Sequence, residues 1–134
     1  MHTHLAETLD EEDFCLQRFG LRTVDYLDSV GWLGPRTWLA HGIHFNPDEI
    51  ARLGAAGTGI CHCPSSNMRL ASGICPTLEL TAAGALLGLG VDGSASNDAS
   101  NMMLETRQVC VQAYVETVRQ FSAGGHDLRG HRKR

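Results

Sequence analysis

The chain of 134 residues contains almost no lysine, few aromatic side chains and no long hydrophobic run. Its single lysine is Lys133, aromatic residues make up 6%, and fifteen acids against eleven basic residues give a net charge of −4. Such an acidic chain is not expected to bind nucleic acid through a basic surface. Because no stretch of 18 apolar residues occurs, no membrane-spanning helix is predicted either.

The cysteines do not form the pattern of a disulfide framework, because their number is odd and their spacing irregular: Cys15, Cys61, Cys63, Cys75 and Cys110. The N-terminal segment MHTHLAETLDEEDF has neither the basic start nor the apolar core of a secretory signal. We therefore expect reduced thiols and a cytoplasmic protein. One alternative is a small zinc-binding interaction module that combines Cys61, His62 and Cys63 with the basic C-terminal segment.

Charge divides the chain into two parts. Residues 1–118 hold six arginines and fourteen acids, whereas residues 119–134 hold five basic residues and one acid. The first part has the apolar content of a globular domain, and apolar periodicity ends after Phe121. The sequence predicts one domain over 1–118 and a basic, disordered tail over 119–134.

The body of the chain alternates short apolar segments with segments of helical periodicity. The apolar segments predict strands at 1–5, 37–41, 58–62 and 88–92. Helices are predicted at 10–19, 24–30, from Pro47 to about 54, at 77–87 and at 102–118. Polar loops are predicted at 63–74 and 93–101. This alternation is typical of parallel α/β architecture.

A polar residue stands at or next to the end of each predicted strand: His4, His41, His62 and Asp92. Their mean spacing of about 29 residues is close to the roughly 31 residues that each unit of an eightfold βα barrel occupies. Barrel enzymes carry their chemistry at the carboxyl ends of the strands. Imidazoles and a carboxylate meeting at that edge would suit Zn²⁺ or Fe²⁺.

Each of these residues also has an ordinary structural interpretation. His2 and His4 form an H-x-H pair, which could bind one metal from one face of a strand or simply form hydrogen bonds. Glu7 could transfer protons or begin a helix. Asp92 ends an apolar strand and therefore needs a metal, a cation or several donors, unless it caps the following loop.

Four segments resemble the amidohydrolase superfamily: HTHLAET, WLAHGIHF, HCPSSNMRLASGICP and LGLGVDGSASNDASNMMLE. The resemblance covers residues 2–118 and is greatest to the branch of metal-dependent deaminases and chlorohydrolases that act on purines, triazines and similar rings. It implies an α/β fold, a (β/α)₈ barrel with one zinc or iron ion per active site. This chain would supply strands five to eight and their helices.

The resemblance also implies residue roles. His4 matches the metal ligand of the fifth strand, and Asp92 matches that of the eighth. Glu7 matches the carboxylate that gives a proton to the ring nitrogen, and His41 the imidazole beside the attacked carbon. Asn67 is the expected polar contact to the substrate. In the implied reaction, metal-bound hydroxide attacks the ring carbon bearing the exocyclic amine, Asp92 takes the proton of the water, and ammonia leaves.

The same resemblance places His2 outside the ligand set, and strands one to four, with the family's own H-x-H pair, have no counterpart in this sequence. We therefore expect the chain alone to bind metal weakly and to turn over little substrate. An open half barrel exposes two sheet edges. A homo-oligomer or a complementing barrel half is the expected partner, and a non-catalytic partner subunit is the alternative function.

Overall fold

In a computed structural model, the described part of the chain is residues 1–123. Four strands form one parallel sheet: β1 (His2–Leu5), β2 (Trp38–His41), β3 (Gly59–His62) and β4 (Leu86–Leu89). Six helices connect and follow them: α1 (Leu9–Phe19), α2 (Thr23–Ser29), α3 (Pro47–Ala56), α4 (Pro64–Arg69), α5 (Thr77–Ala82) and α6 (Met102–Ala123). None of these helices has the length and apolarity needed to cross a bilayer.

The strands lie in the sheet in their order along the chain, β1-β2-β3-β4, and every neighbouring pair is parallel. Leu5 pairs with His41, and His62 pairs with Leu89, so the carboxyl ends of the strands meet at one edge. This confirms the predicted α/β class with parallel strands. Sequential parallel order is also the order that strands have in a (β/α)₈ barrel.

The helices begin and end where local chemistry requires it. Asn46 caps α3 by accepting from the N–H of Glu49, while the Glu49 side chain accepts from the N–H of Asn46, and Pro47 occupies the first turn. Thr8 caps α1, since its Oγ1 accepts from the N–H of Glu11. These caps fix where the chain turns after β1 and β2, and thus where the polar strand ends lie.

The two faces of the sheet are different. One face packs on the helices through a core that includes Leu39, Leu53 and Ile60, all at most 2% exposed. The other face carries Trp38 and Leu86, which are 45% and 67% exposed. This second surface, the open face, is where the interior of a closed barrel would lie.

The structure corrects three of the predicted elements. Helix α5 ends at Ala82 rather than at 87, because Gly84 adopts a left-handed φ of +86° that ends helices. Strand β4 consequently runs over Leu86–Leu89 rather than 88–92. The predicted loop 63–74 contains the short helix α4, which starts with Pro64 in its first turn.

The last helix is longer than predicted. It continues through Ala123, so the first five residues of the predicted tail, 119–123, are helical. The remaining residues of that prediction, 124–134, lie outside the described residues.

Candidate active site

Three residues at the carboxyl edge of the sheet have left-handed backbone conformations although they are not glycine. They are Ala6 after β1, His41 at the end of β2 and Asp92 beyond β4, with φ values of 53°, 71° and 63°. Strain of this kind concentrates at functional sites, because the surrounding structure must hold it in place.

His41 lies at the centre of this edge and is 1% exposed. Its Nε2 is 3.6 Å from the Glu7 Oε2 and 4.0 Å from the Asp92 Oδ2. Its ring stacks on the ring of His4 with 5.1 Å between centroids. The structure thus brings together all four residues that the sequence assigned to metal binding and proton transfer.

Asp92 receives several hydrogen bonds. Ser66 Oγ donates to its Oδ2 at 2.6 Å, and Ser96 Oγ donates to the same oxygen at 3.0 Å. Burial acts to raise the pKa of Asp92, but these two bonds, one from the Gly93 N–H and the nearby His41 imidazole together outweigh it, so the pKa is lower than usual. The carboxylate is therefore held in its charged form without an arginine or lysine.

Glu7 is held through its backbone. The carboxylate of Glu11 accepts from the N–H groups of Ala6 and Glu7, both at 3.0 Å. This contact fixes the turn after β1 and leaves the Glu7 side chain, about one-fifth exposed, beside His41. A partly exposed carboxylate at this position has access both to the imidazole and to a molecule entering the site.

The chemistry of the donor set fits a metal ion. Among residues 1–123, one ligand atom each from His4, His41 and Asp92 lies within 4.8 Å of the others. In the tetrahedral geometry of zinc, two ligand atoms that each lie about 2.1 Å from the ion are about 3.4 Å apart. The widest separation in the cluster would thus have to contract by about 1.4 Å to enclose an ion. Two imidazoles and one carboxylate are ligands that zinc and ferrous iron accept.

His2 takes no part in this cluster. Its ring stacks on Trp38 at a centroid distance of 3.5 Å, and its Nδ1 faces the Trp38 carbonyl oxygen. The H-x-H spacing therefore does not make a metal pair here.

Asn67, the predicted substrate contact, is 0% exposed. Its Oδ1 lies 2.8 Å from the His41 Nδ1, and its Nδ2 lies 3.4 Å from the His62 Nδ1. The amide is therefore engaged on both sides by imidazoles. In this position it can orient His41.

Several residues that support the site were missed by the sequence analysis. They include Ser66 and Ser96, which bind Asp92, and Glu105, which accepts from the Asn97 side chain and the Ser65 N–H. Glu105 is 1% exposed and joins the loop after β4 to the start of α4. Serines and a helical glutamate carry no distinctive spacing, so no signal in one sequence identifies them.

The alternative zinc module does not have the required arrangement in residues 1–123. His62 directs its Nε2 to Gln112 and its Nδ1 to Asn67. The Cys63 thiol is buried and interacts with Cys61, which lowers the pKa of Cys61 to about 7 and raises that of Cys63. The three side chains do not share a common centre.

Comparison with known proteins gives the class of this chain. The model of the amidohydrolase family matches residues 1–124, and the chain belongs to that family.

Individual relatives are similar over a part of their length. The chain is 90% identical over 108 residues to an 8-oxoguanine deaminase from Pseudomonas aeruginosa, and the match covers 81% of this chain and 24% of that protein. The structure is similar to a zinc-bound adenosine deaminase from Xanthomonas campestris, with a TM-score of 0.83 and 34% identity. That match covers 87% of this chain and 26% of the deaminase chain. The structure is also similar to an atrazine chlorohydrolase from Arthrobacter aurescens complexed with zinc, with a TM-score of 0.72 and 35% identity. That match covers 75% of this chain and 22% of the chlorohydrolase chain. The chain thus spans about a quarter of the length of these relatives.

Proposed function

We propose that the chain is a fragment of a metal-dependent deaminase that acts on a purine or a related N-heterocycle, with an 8-oxoguanine-like ring as the favoured substrate. The meeting of His4, His41 and Asp92 beside Glu7 at one edge of a parallel sheet carries this proposal. The identity of 90% to an 8-oxoguanine deaminase supports the choice of ring.

We assign His4 and Asp92 as ligands of a single zinc ion, with iron as the alternative. Zinc in the structures of two relatives supports this assignment. When bound, zinc would supply an activated water by lowering its pKa towards about 7. The third imidazole of the cluster, His41, lies close enough to contribute to the site.

The proton steps are assigned to this chain's carboxylates. In the overall reaction, water replaces the exocyclic amine of the ring, and ammonia leaves. Asp92 takes a proton from the attacking water, and Glu7 delivers one to the ring nitrogen next to the attacked carbon. His41, within 4.0 Å of both carboxylates, stabilises the charge that develops between them.

We place the four strands at positions five to eight of a (β/α)₈ barrel. In that position the open face would pack against strands one to four. The exposed Trp38 and Leu86 side chains, and an apolar cavity of about 300 Å³ that they line, support this placement. In the absence of strands one to four, these 134 residues would be almost inactive.

Two measurements test the function. Purified chain should bind zinc weakly, in a ratio of one ion per chain, and release almost no ammonia from 8-oxoguanine. Mixing it with the N-terminal part of the Pseudomonas relative should restore ammonia release, and the same mixture carrying Glu7→Gln should stay inactive. Rapid deamination by the chain alone, or zinc binding unaffected by His4→Ala, would contradict the proposal.

The exposed open face also supports a second candidate, a non-catalytic subunit that completes a barrel with another chain. In that case mixing would form a complex, but Glu7→Gln would not change its activity. Under either function, the free thiols of all five cysteines favour a reducing, cytoplasmic location.

A further inference from the structure

A row of polar side chains, half-buried at Gln112 and buried beyond it, connects helix α6 to the candidate active site. Gln112 on α6 places its Oε1 2.9 Å from the His62 Nε2, and the other nitrogen of His62 faces the Nδ2 of Asn67. The Oδ1 of Asn67 then faces the Nδ1 of His41 at 2.8 Å. His62, Asn67 and His41 are each at most 1% exposed, so water does not compete for these bonds.

With the amide oxygens and nitrogens of Asn67 and Gln112 placed as they are in the structure, each bond in this row has one direction. An amide oxygen only accepts, so the proton between His41 and Asn67 resides on the His41 Nδ1. An amide nitrogen only donates, so the His62 Nδ1 accepts from Asn67. The neutral His62 ring must then carry its proton on Nε2, where it donates to Gln112.

We propose that Gln112, His62 and Asn67 are positioning residues that hold His41 with a proton on Nδ1 and with its Nε2 directed into the active site. This inference rests on the proposed function, since it assigns how the central imidazole of that site is set. The Nε2 so presented is the atom that lies 3.6 Å from Glu7 and 4.0 Å from Asp92. Gln112 touches none of the reacting groups and acts through two intermediate side chains.

The geometry favours this role over simple filling of space. A buried imidazole with no fixed partner can exchange its two tautomers and turn its ring, whereas an acceptor at Nδ1 selects one of them. Asn67 is itself fixed, because its backbone N–H bonds to the Cys63 carbonyl and its carbonyl accepts from the Ser72 N–H. The acceptor that faces His41 is therefore part of the helix α4 scaffold.

The direct test is the position of the His41 proton in the metal-free, ¹⁵N-labelled 134-residue chain. Long-range ¹H–¹⁵N spectra separate protonated from unprotonated ring nitrogens, and His41→Gln identifies the His41 signals. We expect a protonated Nδ1. An unprotonated Nδ1, or rapid averaging of the two tautomers, would overturn the proposal, because the row would then run in the opposite direction or not act on His41.

Variants test the remote residue. Gln112→Leu removes the terminal acceptor, and we expect the His41 tautomer ratio to shift about tenfold towards Nε2, as loss of one hydrogen bond of about 1.4 kcal/mol predicts. Gln112→Glu keeps an acceptor oxygen and should retain the wild-type pattern. Gln120→Leu, at an exposed position of the same helix that bonds Glu79, should have no effect.

An unchanged His41 signal in Gln112→Leu would refute the positioning role of Gln112. If Gln112→Leu fails to fold, Gln112→Ala provides the same loss of acceptor with less steric change, and the wild-type spectrum remains decisive for the tautomer. None of these spectra needs metal or substrate. Failure of zinc binding or deamination would therefore leave this test intact, and a wrong tautomer would leave the proposed function untouched.

Discussion

Carboxylates are brought together in two regions of the molecule, and the two regions neutralise them differently. In the helical layer, Glu12 and Glu49 are 5% and 2% exposed, and Arg22 lies between them at 2.8 and 2.7 Å. At the strand ends, Glu7 and Asp92 have no arginine or lysine within 4.0 Å among residues 1–123; imidazole and hydroxyl groups surround them instead.

The difference distinguishes carboxylates that stabilise the fold from carboxylates that can take part in chemistry. A guanidinium placed against a carboxylate is permanent, so the Arg22 cluster is complete as it stands and contributes only to the fold. Carboxylates surrounded by hydroxyl and imidazole groups, without a permanent cation, keep their negative charge available for a metal ion or a proton. The strained backbone of His41 and Asp92 agrees with this division, since strain concentrates at sites of chemistry.

The largest predicted effect is on the structural cluster. Arg22→Met should lower the free energy of unfolding by about 3 kcal/mol, because it leaves Glu12 and Glu49 buried without a cation. Breaking a buried ion pair costs about 3 to 5 kcal/mol, and the lower value applies here because the Arg22 side chain is 33% exposed. Urea unfolding followed by circular dichroism measures the change.

Arg52→Met is the matched control for Arg22. Arg52 pairs with Asp25 and Asp28 at the surface, where ion pairs contribute less than about 1 kcal/mol. If both variants lost the same free energy of unfolding, burial of Glu12 and Glu49 would not make the Arg22 cluster more important than the surface ion pairs of Arg52.

The second prediction concerns the chemical region. Asp92→Asn should weaken zinc binding by at least about 100-fold, because an amide replaces a charged ligand. Without metal, its unfolding free energy should change by less than about 1 kcal/mol, since Ser66 and Ser96 can still donate to the amide oxygen. Isothermal titration with zinc and urea unfolding with a chelator measure the two quantities. Asp98→Asn, which removes an exposed partner of Arg69, should change neither.

The third prediction uses pH to separate the regions. Burial lowers the pKa of His62 below its ordinary 6.5, against the opposing effect of its bond to Gln112. The unfolded chain therefore binds the extra proton first as pH falls. The free energy of unfolding should therefore be highest above about pH 6.5. Below that pH it should decline by up to about 1.4 kcal/mol for each pH unit. Arg22, whose pKa is raised chiefly by its bond to Glu49, stays charged throughout.

Urea unfolding at several pH values between 5 and 8 tests this point. His62→Gln should reduce the loss at low pH, whereas His2→Gln, on an exposed ring, should leave it unchanged. If the unfolding free energy of His62→Gln fell by the same amount at low pH as that of the wild type, the decrease would be due to other titrating groups.

Local patterns in the sequence predict the parallel α/β class and the meeting of polar strand ends. Short apolar segments between helical patterns predicted parallel strands, and their shared edge explains why His4 and Asp92 converge. The ends of β4 were placed wrongly because apolar residues on both sides of Gly84 fit helix and strand equally well.

Long-range polar contacts could not be predicted. Arg22 and Glu49 are separated by 27 residues, and no periodicity reveals that they pair. Helix α4 is not predicted because two of its three buried residues, Ser66 and Asn67, are polar and are stabilised by hydrogen bonds to the site rather than by an apolar core. Its existence depends on the tertiary structure that it helps to form.

The smallest predicted effect compares backbone strain inside and outside the site. Ala71 follows α4 with a φ of 55° and is exposed, and the bonds from Ala71 N–H to Met68 and from Ser72 N–H to Asn67 form the C-terminal motif in which glycine is preferred. Ala71→Gly should therefore stabilise the fold by about 0.5 kcal/mol, the relief of strain minus the backbone entropy that glycine loses. Ala6→Gly should give no gain, because the Ala6 methyl group is fully buried and its loss removes about 0.8 kcal/mol of apolar burial. Thermal unfolding of the two variants measures both changes. An equal gain at position 6 would show that strain beside the site is as easily relieved as strain at the surface, and that the surrounding packing does not hold it.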